Sequence, residues 1–216
     1  MYYIVNGSPR PNGNTAMLLH SVEDGIKSSG KEVEWVELNK INFKGCISCY
    51  ACKRADEKFK NHCVQKDELS PILEKLLDAE GVIIGSPIYY MNINGLTQSF
   101  IERFFFPNYE YTEKGTCFPH VIPSGFVFTM NVKEEQANTS GLIATIERTS
   151  SFAERILGMR TEILFSFDTR QFSDYSKYLC TRFSEQEKII HQKEQFPKDM
   201  KAAFDMGVKI ATICEK

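Results

Sequence analysis

The chain has 216 residues, of which 42% are hydrophobic and 25% are charged, a composition typical of a globular protein with one buried core. Its 26 basic and 28 acidic residues give a formal net charge of −2 and form no basic stripe, which argues against a nucleic-acid partner. No apolar run approaches the roughly 18 residues of a membrane-spanning helix, and a strand begins at once without a charged leader. We therefore expect a cytoplasmic protein with no membrane partner.

Strands and amphipathic helices alternate along the chain. Short apolar runs predict strands at residues 2–5, 33–38, 81–85, 125–130 and 161–167. Apolar side chains three or four positions apart predict helices within 18–26, 69–77, 96–104, 142–157 and 200–211. Five strands alternating with five helices predict an α/β fold, in which a mainly parallel sheet is covered by helices on both faces.

Two segments interrupt this alternation. Residues 86–90 follow the third predicted strand as an abrupt loop, and residues 107–123 form an irregular excursion that contains three prolines. Neither has the composition of a linker between domains, so we expect a single domain covering residues 1–216. Residues 174–178 are predicted to be a surface loop, and residues 104–106 place three phenylalanines in a row, which either the excursion or a second subunit must cover.

The turn after the first strand has the composition of an anion-binding site. Two glycines and two prolines bend residues 7–13, beside the free N–H groups that open the next helix. Arg10 adds a planar fork of donors that suits phosphate oxygens. The polar side chains that accompany it are Ser8, Asn12, Asn14 and Thr15. The glycine spacing matches neither a Walker loop nor a dinucleotide fingerprint, and the alternative to a phosphate site is a capped helix without a ligand.

Two motifs together resemble a known family. Residues 7–10 (GSPR) with 13–15 (GNT), followed by residues 85–89 (GSPIY), are similar to the NADPH-dependent FMN reductases of the flavodoxin-like flavoproteins, over nearly the whole chain. The resemblance implies a flavodoxin-like three-layer sandwich with a five-stranded parallel sheet of order 2-1-3-4-5. It places the FMN phosphate in the first loop and the isoalloxazine ring against the third.

The resemblance also implies which residues bind the cofactor. The phosphate ligands would be Ser8, Arg10, Asn12, Asn14 and Thr15, and the ring contacts would be Pro87, Ile88, Tyr89, Tyr90, Met91, Asn92 and Asn131. NAD(P)H would donate a hydride to FMN, and a quinone, a free flavin or a carrier protein would accept the electrons. No catalytic side chain is predicted because the flavin carries the chemistry. The family further implies a homodimer or homotetramer.

Four of the seven cysteines crowd into a cysteine-rich loop at residues 45–66. Their pattern, Cys46-x2-Cys49-x2-Cys52-x10-Cys63, is similar to the compact motif of iron-sulfur flavoproteins within the same family, and four such thiolates can ligate a [4Fe-4S] cluster. The last gap of ten residues is longer than in the cluster-binding members. Zinc, with or without His62, and free or redox-active thiols are therefore alternatives. The remaining cysteines are predicted to be inert thiols: Cys117, Cys180 and Cys214.

Three functions compete at this point. The leading hypothesis is an FMN-dependent NAD(P)H oxidoreductase that passes electrons to a small acceptor. The second is an iron-sulfur flavoprotein that carries electrons, in which a [4Fe-4S] cluster exchanges single electrons with FMN. The third is a non-catalytic phosphate-binding module without flavin.

Overall fold

Residues 1–213, the part of the chain that the computed structural model describes, form six strands and seven α-helices. Cys214, predicted to be an inert thiol, lies outside the described residues. The strands are β1 (Tyr2–Asn6), β2 (Val33–Glu37), β3 (Gly81–Tyr89), β4 (Asn92–Ile93), β5 (Ser124–Thr129) and β6 (Glu162–Ser166). The helices are α1 (Asn14–Ser28), α2 (Ser70–Leu76), α3 (Gly95–Asn108), α4 (Glu134–Thr139), α5 (Leu142–Leu157), α6 (Glu185–Glu194) and α7 (Phe196–Thr212).

Five parallel strands form the sheet in the order β2-β1-β3-β5-β6. The register places Val5 of β1 opposite Val36 on one side and Ile84 on the other. A sixth, two-residue strand, β4, pairs antiparallel with the end of β3. Apart from this small strand, the order is the predicted 2-1-3-4-5, and the flavodoxin-like α/β class is confirmed.

Successive side chains of the central strands point into two hydrophobic cores, one on each face of the sheet, because side chains alternate in direction along a strand. Ile4 and Ile83 are fully buried against α1 and α7, whereas Val5 and Ile84 pack on the opposite face with α2, α3 and α5. Helices therefore cover both faces of the sheet. Because the helices bury both faces, the free carboxyl ends of the strands are where a ligand can reach the sheet.

Helices α1 and α7 cross at two glycines. A Cβ atom on Gly207 would lie 2.1 Å from the carbonyl oxygen of Val22, and one on Gly25 would lie 2.1 Å from the carbonyl oxygen of Phe204. No side chain fits between backbones this close. The two glycines thus set the distance between α1, whose N-terminus faces the predicted phosphate site, and the closing helix.

The structure differs from the predicted elements in three places. β3 continues through residues 86–89, where Ser86 and Pro87 pair with β5, so the predicted loop 86–90 is mostly extended strand. α3 runs on through Asn108, and the rest of the excursion covers the phenylalanines, with Phe118 edge-on to Phe104 at a centroid distance of 6.1 Å. Helices α4 and α6 were not predicted because they lack an apolar stripe. Within residues 1–213, none of the helices combines the length and apolarity needed to cross a bilayer.

Candidate functional site

The loop between β1 and α1, residues 7–13, is a fixed turn held by its own polar groups. The Gly7 N–H donates to the carbonyl oxygen of Gly85 at 2.9 Å, and a Cβ atom at Gly7 would lie 1.8 Å from Thr97 Oγ1, so only glycine fits. The buried Ser8 hydroxyl accepts a 3.2 Å hydrogen bond from the Arg10 N–H. These contacts shape the loop without using the Arg10 guanidinium, which is left for other partners.

Asn94, at the N-terminus of α3, fastens this loop to two other elements. Its Oδ1 accepts from the Thr97 N–H at 3.0 Å, which caps the helix, and its Nδ2 donates to the Gly7 carbonyl oxygen at 2.5 Å. Its own N–H donates to Ser86 Oγ at 3.2 Å. The prediction did not single out Asn94, although an Asn three residues before Thr, ahead of an apolar run, is a capping signal.

The N-terminus of α1 points its first N–H groups toward the end of β1. The Met17 N–H bonds to the Gly13 carbonyl oxygen at 3.0 Å, so the helical N–H groups before Met17 have no acceptor within the helix. No acidic residue occupies the first turn of α1, which leaves the positive end of the helix dipole uncompensated. The Thr15 hydroxyl is engaged by Thr129 Oγ1 at 2.7 Å, so at this position the backbone N–H is the freer donor.

The third loop is a two-residue hairpin between β3 and β4. Tyr90 and Met91 occupy its turn with φ angles of 48° and 65°, a left-handed conformation that usually requires glycine or asparagine. Tyr90 is fully exposed and Tyr89 is half exposed. Such strained turns with exposed aromatic side chains occur at functional sites more often than elsewhere.

A cleft of about 890 Å³ opens where the predicted loops meet at the carboxyl ends of the strands. This size lies within the range of small-molecule sites. Nine of the twelve predicted cofactor residues line it: Ser8, Arg10, Asn12, Asn14, Thr15, Pro87, Ile88, Tyr89 and Asn131. The other three, Tyr90, Met91 and Asn92, belong to the hairpin and are not among its lining residues.

The segment after β6, residues 167–178, forms a wall of the cleft that the sequence did not reveal. We refer to it as the β6 loop. Arg10 Nη1 donates to the Gln171 carbonyl oxygen at 2.7 Å, and Asn14 Nδ2 donates to the Arg170 carbonyl oxygen at 3.0 Å. Asn131 Nδ2 donates to Gln171 Oε1 at 3.1 Å. The β6 loop is therefore bonded to three of the residues predicted to bind the cofactor.

Aromatic rings of the β6 loop complete this wall. Phe172 and Tyr178 stack with a centroid distance of 4.0 Å and an interplanar angle of 14°, and both line the cleft. Tyr175 is buried beneath them, and its hydroxyl accepts from the Gln171 N–H at 3.2 Å. The predicted surface loop at 174–178 is exposed at residues 176–178, and Tyr175 is its one buried residue.

A buried ion pair holds the base of the β6 loop. Lys188 of α6 is 2% exposed, and its Nζ donates to Asp168 Oδ1 and, at 2.6 Å, to the Asn131 carbonyl oxygen. Asp168 has a φ angle of 51°, in the left-handed region that Asp and Asn adopt more readily than other residues except glycine. The pair anchors the otherwise polar helix α6 beside the cleft.

The four clustered cysteines face one small cavity of about 20 Å³, next to the middle of α3. Between these cysteines, Ser48 and Tyr50 have a left-handed backbone conformation, with φ angles of 53° and 55°, so the loop changes direction repeatedly. Burial raises the pKa of the Cys52 thiol. The cysteines of residues 1–213 are free thiols, and in that part of the chain no three His, Cys, Asp or Glu side chains are already arranged around a metal position.

Solved structures share the fold of this chain. An NAD(P)H:quinone oxidoreductase from Methanothermobacter marburgensis superposes with a TM-score of 0.67 and 14% identity, over 96% of this chain and 94% of that one. An azoreductase from Bacillus anthracis gives a TM-score of 0.64 with 13% identity, over 96% of this chain and 98% of that one. At such low identity these likenesses establish the flavodoxin-like architecture and nothing finer.

Sequence comparison identifies the family. The chain is 35% identical over 99 residues to an iron-sulfur flavoprotein of Archaeoglobus fulgidus, which is 46% of each sequence. It is 32% identical to one of Methanocaldococcus jannaschii, over 46% of this chain and 49% of the relative. The chain thus spans about half the length of the curated relatives it matches. Residues 2–124, more than half of the chain, match the NADPH-dependent FMN reductase family. The chain belongs to the NADPH-dependent FMN reductase family of flavin oxidoreductases.

Proposed function

We propose that this chain binds FMN in the cleft at the carboxyl ends of β1, β3 and β5 and acts as an NAD(P)H oxidoreductase. The observation that carries the proposal is the convergence of the two family motifs, residues 7–15 and 85–89, on one cleft of suitable volume. A quinone, a free flavin or an electron-carrier protein would accept the electrons. The name of the structural neighbour, NAD(P)H:quinone oxidoreductase, supports this reaction class by analogy of fold.

The phosphate of FMN would lie at the N-terminus of α1. The free N–H groups of the first helical turn and the uncompensated helix dipole favour a dianion there. Arg10 and Asn14 would add donors, although both now donate to carbonyl oxygens of the β6 loop. The polar side chains of the loop, Ser8, Asn12 and Thr15, line the same corner. When FMN binds, Arg10 and Asn14 would thus donate to the charged phosphate instead of to neutral carbonyl oxygens, and hydrogen bonds to a charged acceptor are stronger.

The isoalloxazine ring would lie between the hairpin and the β6 loop. On one side Pro87, Ile88 and Tyr89 offer backbone and ring contacts, with Tyr90, Met91 and Asn92 at the exposed edge. On the other side Asn131 has a buried Oδ1 without a hydrogen-bond donor among the described residues, which suits a ring N–H. When bound, FMN would supply hydride and single-electron transfer, while the chain orients the ring and excludes water from it.

A second candidate function is electron transfer through a [4Fe-4S] cluster. The observation that favours it is that Cys46, Cys49, Cys52 and Cys63 all line one cavity, which is the donor set of such a cluster. The relatives named iron-sulfur flavoproteins support it. These four residues would hold the cluster, and the cluster would supply single-electron chemistry. The ten-residue gap before Cys63 is accommodated because residues 53–62 loop out and return to the same cavity.

The test uses the purified chain. FMN titration, followed by quenching of flavin fluorescence, should give saturable binding with one site per chain. Anaerobic addition of NADH or NADPH should then bleach the flavin absorption, and a quinone should restore it. A protein that takes up FMN but is bleached by neither nicotinamide contradicts the oxidoreductase assignment and favours the iron-sulfur carrier. A protein that binds no FMN leaves only the non-catalytic phosphate-binding module.

We further propose a homodimer or homotetramer in the cytoplasm. A groove of about 660 Å³ runs between α3 and α5, and the exposed rings of Tyr50, Tyr111 and Phe152 line it. Exposed aromatic clusters of this kind mark interaction surfaces. The free cysteines support a reducing compartment. Light scattering of the native protein and of Phe152→Asp tests the assembly, and a wild-type protein that is monomeric at micromolar concentration contradicts it.

A further inference from the structure

Arg103, on the third turn of α3, is a fully buried arginine, with a side-chain exposure of 0%. An ionised group in such a position must be paired. Its Nη1 donates to Asp67 Oδ2 at 2.7 Å and to the Lys44 carbonyl oxygen at 2.8 Å, and its Nη2 donates to Asp67 Oδ1 at 3.2 Å. These bonds account for one side of the guanidinium.

The third nitrogen of Arg103 has no such partner. Nε is buried and has no hydrogen-bond acceptor among the described residues. Arginine keeps its proton at all physiological pH values, so this N–H is a permanent donor without an acceptor. Buried donors of this kind are rare in native structures and call for a bound partner.

Arg103 also lines the cavity that the four cysteines face. Burial disfavours its charge, but the side-chain interactions with Asp67 and Cys63 outweigh burial and keep the pKa of Arg103 raised. Cys63 is thus the second side chain that the guanidinium contacts, and it lines the same cavity. The ion pair with Asp67 fixes the orientation of the guanidinium, so its position does not depend on a ligand in the cavity.

We propose that Arg103 is a positioning residue of the four-cysteine site, whose Nε–H donates to Cys63 Sγ when that sulfur ligates a [4Fe-4S] cluster. The inference rests on the second candidate function. The hydrogen bond and the positive charge offset the negative charge that the site gains when an external reductant supplies one electron. Hydrogen bonds to ligand sulfurs and local net charge are among the factors that set cluster reduction potentials. Arg103 therefore raises the reduction potential of the site.

The experiment compares cluster potentials in three proteins reconstituted anaerobically with iron and sulfide. Arg103→Lys keeps a positive charge that can pair with Asp67 but lacks the Nε–H. Asp67→Asn keeps the guanidinium with its Nε–H but removes the buried carboxylate, so it separates the effect of the Nε–H from that of the ion pair. Midpoint potentials are measured by redox titration with dithionite, followed by electron paramagnetic resonance of the reduced cluster.

We expect the ratio of reduced to oxidised cluster at a fixed potential to fall about tenfold in Arg103→Lys, equivalent to about 59 mV for a one-electron couple. Asp67→Asn, which keeps the Nε–H and loses a negative charge, should show no such fall. A potential in Arg103→Lys equal to that of wild type overturns the role of Arg103 alone. A wild-type chain that takes up no iron overturns the cluster proposal and this inference with it.

A variant that fails to fold does not end the test. If Arg103→Lys does not fold, the combination of Arg103→Met with Asp67→Asn removes both buried charges together and leaves none unpaired. Its cluster potential should fall below that of Asp67→Asn alone. Equal potentials in these two proteins overturn the inference.

Discussion

Arg10 and Gln171 are 161 positions apart in the sequence, yet Arg10 Nη1 donates a 2.7 Å hydrogen bond to the Gln171 carbonyl oxygen. This bond joins the loop after β1 to the β6 loop across the cleft. The family match ends at residue 124, so nearly half of the residues that line the cleft come from a part of the chain that the match does not cover. We therefore expect the β6 loop to determine which small molecules the cleft accepts.

Arg10→Ala should weaken FMN binding by about 1.5 to 3 kcal/mol, the range for hydrogen bonds to charged groups. Arg10 is exposed and needs no rearrangement of the core to reach a phosphate. Fluorescence titration measures the change. Arg148→Ala, at an exposed position of α5, is the control and should bind FMN like wild type. Equal affinity in Arg10→Ala and wild type would remove Arg10 from the site.

Asn94→Ala should lower the free energy of unfolding by about 2 kcal/mol or more, because it removes a helix cap and leaves the Gly7 carbonyl and the Thr97 N–H unpaired. Urea unfolding measures the loss. FMN affinity should fall as well, since Gly7 begins the phosphate loop. Asn138→Ala, exposed on α4, should change neither quantity. A variant as stable as wild type would show that Asn94 does not fasten the loop.

Asp67→Asn should destabilise the protein by about 3 kcal/mol near neutral pH, because it breaks a buried ion pair with Arg103. Burial raises the pKa of Asp67, but the hydrogen bonds and charge of Arg103 outweigh it, so the pKa in the folded state lies below 3.8. A depressed carboxyl pKa stabilises the fold above 3.8, and this contribution is lost as the pH falls through the folded-state value.

The difference in unfolding free energy between wild type and Asp67→Asn should therefore be constant from about pH 7 to 5 and shrink below about pH 4. Chemical denaturation at several pH values measures it. Asp24→Asn, at an exposed site on α1, serves as the control and should show no comparable gap. A gap that persists unchanged in acid would mean that the Asp67 charge does not stabilise the fold.

Gly207→Ala should destabilise the chain by about 3 kcal/mol or more, since the new methyl group meets the Val22 carbonyl oxygen, which is backbone and cannot move aside. Gly95→Ala is the matched substitution, because a Cβ atom there meets nothing within 4 Å. It should be neutral or stabilise by about 0.4 to 1 kcal/mol. Thermal unfolding compares the two, and equal melting temperatures would contradict the close crossing of α1 and α7.

The sequence by itself determined the features that depend on neighbouring residues. Apolar periodicity placed the strands and the long helices, and the turn chemistry of residues 7–15 located the loop before α1. The strand order followed from the resemblance that the motifs at residues 7–15 and 85–89 carry. These signals are local, since backbone conformation and one-sided burial repeat within a few residues.

Only the tertiary structure decided which distant groups meet. Helix α6 has no apolar stripe, and its place is set by the burial of Lys188 against Asp168. The β6 loop joins the cleft through hydrogen bonds to residues more than 150 positions away. The proposed role of Arg103 depends on its ion pair with Asp67 and on its place in the cavity that the cysteines line. Such contacts leave no periodic pattern in the sequence, because a polar group buried by a long-range partner looks like any exposed polar residue until the chain folds.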